Sequence, residues 1–147
     1  MQLTRHSDYS LRVLTFLAVR SGEMATIAEI AEAYDISRTH LMKVVQRLGQ
    51  FGYVKTLRGR GGGLLLGRPP EQIRLGELFR HMEENLDLVE CFSVPSREPA
   101  CRIEPSCKLK GIFAEALQSF LGTLDCYTLA DLVRGRVAPL ERLLQLT

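Results

Sequence analysis

Residues 26–66 read TIAEIAEAYDISRTHLMKVVQRLGQFGYVKTLRGRGGGLLL. This stretch decides the fold. Thr26 is placed to cap a helix, with Glu29 three residues on as its capping-box partner. Ile27, Ile30 and Ala31 give that helix a buried face. Tyr34-Asp35-Ile36 makes a short break, and Ser37 caps a second helix running to about Gly49. Leu41, Val44, Val45 and Leu48 line its inner side, and Gly49 and Gly52 mark its exit. A short helix, a three-residue turn and a second capped helix form a helix-turn-helix. The N-terminal part of the second helix is the part that enters the major groove. Here it carries Ser37, Arg38, Thr39, His40 and Lys43, side chains suited to phosphates and base edges.

A small helical hairpin with a solvated face would share those features, so the next segment matters. Residues 53–57 have strand character and residues 64–66 can pair with them. Between lies Arg58-Gly59-Arg60-Gly61-Gly62-Gly63, a glycine-rich tip carrying two arginines. A helix-turn-helix followed by a basic hairpin is a winged helix. Arg58 and Arg60 then suit a phosphate line or the adjacent minor groove. A nucleotide phosphate loop is excluded, because no Gly-Lys-Ser/Thr follows the glycines and no strand-to-helix context exists.

Outward from this core, residues 8–20 form a first helix with Tyr9, Val13, Phe16 and Leu17 on one face. Residues 67–70 are a hinge in composition, and a fourth helix follows near 74–84 with Leu75, Leu78, Phe79 and Met82 as its stripe. A long helix opens at Ser106 or Cys107 and runs to about Asp125. Its apolar stripe, from Leu109 through Leu124, is wide enough to bury against the first helix and against a second subunit. Further helical turns are expected at 128–133 and 140–146. The fold class is therefore mainly α with a small β-hairpin wing: a winged helix-turn-helix over 1–72, then a sensor loop and dimerisation helix over 73–147.

Charge agrees with this division. Residues 1–70 hold ten Lys/Arg against five Asp/Glu, and residues 71–147 nine against twelve, within a chain of net charge +2. The basic half suits nucleic acid. Arg12 interrupts the only apolar run near the N-terminus, so neither a signal peptide nor a membrane span is expected, and the default location is cytoplasmic. No catalytic triad, acid pair or nucleotide loop is visible, so an enzyme is not expected.

Residues 91–107, CFSVPSREPACRIEPSC, collect three of the four cysteines and three prolines, Pro95, Pro99 and Pro105. Prolines at this density make an irregular loop. In the cytoplasm lasting disulfides are rare, so these thiols are reduced, metal-bound or redox-active. The spacing Cys91-x9-Cys101-x5-Cys107 lacks the close pairs of structural zinc and the Cys-x-x-Cys of thioredoxin-like enzymes. Three thiolates suit an iron–sulfur cluster with one ligand position left for another donor. Cys107, at the start of the long helix, is placed where the dipole favours a thiolate. Cys126 stands apart and reads as a small packed residue rather than a ligand.

At these residues the chain resembles the iron–sulfur winged-helix transcriptional regulators, most closely their nitric-oxide-sensing repressors. The resemblance is carried by MQLTRHSDYSLRVL, ISRTHLMKVVQRL, VKTLRGRGGGLLLGRP, CRIEPSCKLKGIFAEALQSFL and LDCYTLADLV, together most of residues 1–133. It implies a homodimer on a double-stranded DNA operator. It implies one cluster per subunit, [4Fe-4S] or alternatively [2Fe-2S], on Cys91, Cys101, Cys107 and Asp8 of the partner subunit, with Arg12 close behind. It implies repression relieved when the cluster reacts with nitric oxide; an iron- or redox-responsive regulator is the alternative. The interval between Cys91 and Cys101 is longer than in relatives. The cluster-assembly branch of the family has a His three residues after its last cysteine, where this chain has Lys110.

Overall fold

The computed structural model describes residues 3–93 and 101–146; Pro95 and Pro99 of the thiol loop lie outside the described residues. Helix α1 spans Arg5–Val19, starting three residues before the expected point. The hydroxyl of Thr4 accepts the Ser7 N–H at 3.3 Å and so caps one turn more. Val13, Leu14, Phe16 and Leu17 are buried, and α1 is the central strut on which most other helices pack.

Helix α2, Ile27–Tyr34, carries the expected capping box: the Thr26 N–H donates to Glu29 Oε2 at 2.6 Å, and the Glu29 N–H to the Thr26 hydroxyl at 3.2 Å. Asp35 ends it in the left-handed region, φ 51°. Helix α3, Arg38–Gln50, follows; Ser37 occupies its cap position without a side-chain cap bond. Strands β1, Val54–Leu57, and β2, Gly63–Leu66, pair antiparallel with Val54 opposite Leu66 and Leu57 opposite Gly63. Ala25 bonds to Leu64 in both directions, at 3.1 and 2.7 Å, fastening the wing to the segment before α2. Gly59 and Gly61 take positive φ at the tip, which lets the loop close in so few residues.

Helix α4, Leu75–Met82, ends where extended Glu83 begins. One oxygen of Glu83 accepts both the N–H and the hydroxyl of Thr4, each at 3.1 Å. Helix α5 spans Leu109–Asp125, followed by α6, Leu129–Val133, and α7, Val137–Leu143. The buried core is continuous across residue 72: Ile73, Leu78, Met82, Leu129, Val133 and Leu144 join the cluster built on α1–α3.

Four expectations are corrected. The long helix starts at Leu109, because a 3₁₀ turn at Glu104–Ser106 and an extended Cys107 intervene. Cys107 is therefore not on the first turn. The principal partner of helix α5 is α4 rather than α1. Asp125 makes that contact, accepting from Arg80 at 2.8 and 2.7 Å, while its carbonyl accepts from Arg74 at 3.2 Å. Gly76 faces the same carboxylate so closely that a Cβ would collide with it. Finally, Cys126 is exposed, its thiol donating to the Gly122 carbonyl at 3.4 Å, because α5 leaves that side of its last turn uncovered. The tail helix also falls three residues early and stops where Gln145 takes φ 55°.

Candidate nucleic-acid interface and thiol site

The candidate reader is α3. Ser37, Arg38, Thr39, His40 and Lys43 are all exposed, as are Arg58 and Arg60 at the wing tip. The opposite side of α3, Leu41, Val44, Val45 and Leu48, is buried. α3 contains no carboxylate, so its field towards an anion is uniformly favourable. Residues 38, 39, 42, 43 and 46 share the outward face, which adds Met42 and Gln46 to those named above. Their helical spacing was the available signal.

Arg47 belongs to a different task. Its Nε and Nη2 donate to the His81 carbonyl at 3.1 and 2.8 Å. The His81 ring stacks on Phe51 at 4.1 Å, and its Nδ1 lies 2.8 Å from the Tyr53 hydroxyl. Burial pushes the Tyr53 phenol well above its usual range, so it stays neutral. This knot ties the end of α3 and the start of β1 to the end of α4.

Cys91, Cys101 and Cys107 are all free, and so is Cys126. Cys91 lines an open cleft of about 610 Å³ against α5, and Cys101 lines a neighbouring one of about 580 Å³. Glu104 and Lys110 border both clefts and form an ion pair at 2.7 Å. That hydrogen bond, helped by the charge of the Glu104 carboxylate, raises the Lys110 pKa. Cys107 lines neither cleft, and among the described residues no three His, Cys, Asp or Glu side chains converge on one point. Asp8 pairs with Arg12 through two contacts, 2.8 and 3.3 Å, and lines neither thiol cleft. Arg12 in turn sits 5.7 and 5.8 Å over the rings of Tyr9 and Tyr34. Burial pushes Tyr34 up to about 12. Cys91 and Cys101 are uncommitted thiols on clefts that share Glu104 and Lys110, and free thiols are the donor type that a soft, thiophilic iron centre takes.

A basic recognition helix beside a two-arginine wing, carried on a helical scaffold, defines a winged-helix DNA-binding transcriptional regulator. Residues 3–135 match the Rrf2 family, described as iron-dependent transcriptional regulators. The chain belongs to the Rrf2 family. It is 53% identical over 137 residues to the HTH-type transcriptional regulator NsrR of Bacillus subtilis (strain 168), covering 92% of each chain. Its fold matches the solved structure of CymR (YrzC), the global cysteine regulator of B. subtilis, with TM-score 0.69 and 28% identity over 90% of this chain and 95% of that one. It also matches T. potens IscR, with TM-score 0.68 and 26% identity over 92% and 88%. Among the described residues no helix is long and apolar enough to cross a membrane.

Proposed function

We propose that this chain is a cytoplasmic, homodimeric repressor whose operator affinity depends on an iron–sulfur cluster that reacts with nitric oxide. The observation that carries the reading is the set of three free thiols, Cys91, Cys101 and Cys107, that precede α5 in a chain so similar to NsrR. These thiols would hold the cluster, most simply a [4Fe-4S] one, together with Asp8 of the partner subunit. When bound, the cluster supplies an iron centre open to a small reactive gas.

The remaining work is done by this chain's own residues. Ser37, Arg38, Thr39, His40 and Lys43 meet the operator, and Arg58 and Arg60 reach its backbone or minor groove. Arg12 holds the carboxylate of Asp8 in place on α1. α5 supplies the subunit contact: only Leu121 is buried along its 17 residues, while Leu109 and Ile112 are 53% and 57% exposed. An apolar stripe this open is stabilised by a second copy. Residues 1–72 then read DNA and residues 73–147 sense and dimerise.

Anaerobically reconstituted protein should bind its operator tightly and lose affinity on addition of nitric oxide. Cys101→Ser should abolish cluster absorbance. Operator affinity indifferent to the gas would refute the nitric-oxide reading, and cluster absorbance retained in Cys101→Ser would refute the ligand assignment. A response to iron chelators at a lower dose than to nitric oxide would favour the iron-responsive alternative.

A further inference from the structure

The first turn of α1 and the flank of α3 enclose a cavity of about 180 Å³ lined by Arg5, His6, Tyr9, His40, Lys43 and Val44. Two of these side chains are permanent cations and two are imidazoles; among the described residues no carboxylate lines it. Val44 is buried beneath, and the Tyr9 and His40 rings stand 6.4 Å apart at a tilt. Nε2 of His6 is shielded from solvent and has no hydrogen-bond partner among the described residues. Buried ring nitrogens are normally satisfied, so the His6 ring is an unmet polar group behind the wall of the cavity. The acids near this end of α1 are engaged elsewhere or act from outside the lining: Asp8 pairs with Arg12, Glu83 accepts from Thr4, and Glu84 is near enough to His6 to favour its charged form.

We propose that this cavity is a seat for a DNA backbone phosphate. Arg5 and Lys43 supply the charge, and Tyr9 and His40 supply hydrogen bonds to the remaining oxygens. A tetrahedral phosphodiester fits the volume, and the seat lies beside the recognition helix, where the duplex backbone passes as the helix enters the groove. The DNA footprint thus extends onto α1. His40 and Lys43 become positioning residues, and base reading falls to the neighbouring outward side chains of α3. The inference rests on the assignment of α3 as the reader and is independent of the cluster.

The test uses the full-length protein and a random-sequence duplex, with affinity measured across a series of salt concentrations. Each phosphate contact contributes about 0.9 to the log–log slope, so Arg5→Ala in both subunits should lower it by about 1.8. Between about 50 and 200 mM salt, the loss of affinity should then be about twelvefold smaller than in the unsubstituted protein. Arg5→Lys, which keeps the charge, should keep the slope. Arg60→Ala serves as the wing control. A slope that falls for Arg60→Ala and stays constant for Arg5→Ala overturns the phosphate seat and leaves the reader assignment standing. A slope that stays constant for both overturns both. A slope that falls equally for Arg5→Ala and Arg5→Lys would show a structural effect and also overturn the seat. Imidazole proton resonances of His6 and His40, followed as duplex is added, give a second readout: both should move in the unsubstituted protein, and constant positions would count against the seat.

Discussion

Ile112→Ala tests the subunit contact on which the repressor reading depends. Ile112 lies one turn into α5 and is 57% exposed in the single chain. Full burial of an Ile side chain is worth about 1.5–3 kcal/mol, so burying the exposed remainder contributes about 0.9–1.7 kcal/mol. A two-fold dimer buries the same residue twice, which doubles this to about 1.7–3.4 kcal/mol. The dimer dissociation constant should rise by about 15- to 300-fold. The monomer should be unharmed, because the residue makes little use of its own chain. Sedimentation equilibrium over a dilution series measures the change, and far-UV circular dichroism at the same concentrations checks the fold. Ile112→Glu should dissociate the dimer further. A dissociation constant that stays put in both variants would refute α5 as the interface.

Other substitutions probe the scaffold. Thr26→Ala removes the α2 capping box and should cost about 1 kcal/mol, a Tm fall of about 2–4 °C by calorimetry. The Thr26 N–H and hydroxyl hold the Glu29 pKa below 4.5, so their contribution is present above that pH and fades as pH falls through the depressed folded value. Acid unfolding of Thr26→Ala should therefore lose the hydroxyl's share of that component and keep the share of the backbone N–H, which alanine retains. Tyr53→Phe deletes the hydroxyl that meets His81 at 2.8 Å and should cost about 1 kcal/mol in denaturant titration. Gly76→Ala drives a Cβ into the Asp125 carboxylate at the α4–α5 contact and should destabilise by about 1–3 kcal/mol. Hydrogen exchange should show faster opening at the C-terminal end of α5.

What could be read from residues alone was what repeats at short, regular intervals. The Thr26–Glu29 box, the turn at Asp35 and the glycine wing are set by neighbours a few positions apart, and each formed where expected. The thiol loop stood out by composition. The contacts that join these parts have no such spacing. Arg47 finds His81 34 residues away, and Arg80 finds Asp125 across 45. Arg5 and Lys43 meet in one cavity only because α1 crosses α3. The early start of α1 depended on Thr4, a cap whose partner Ser7 lies before the apolar period begins. The late start of α5 depended on backbone geometry at Cys107, which the apolar stripe does not report.

These long-range ties determine what a change in the thiol loop can move. Before Cys91 the chain is anchored at Glu83, which binds the N-cap of α1, and at His81, whose carbonyl is gripped by Arg47 of the recognition helix. After Cys107 it enters α5, about 25 Å long at 1.5 Å per residue, which is fastened again at Asp125 to α4. The loop is thus spliced between two attachments to the same helix, α4, and α4 is the element that grips α3. Within the described part of the loop the side-chain ties are few: an exposed one from Ser93 to Asp87 at 2.9 Å and a part-buried one from Lys110 to Glu104 at 2.7 Å. If the proposed ligation of the thiols moves this segment, the ties at its two ends are where the movement would be felt. The His81 knot is the anchor nearest the reader, so Tyr53→Phe should weaken operator binding as well as stability. Binding that stays unchanged at matched folded fraction would place the coupling on α5 instead.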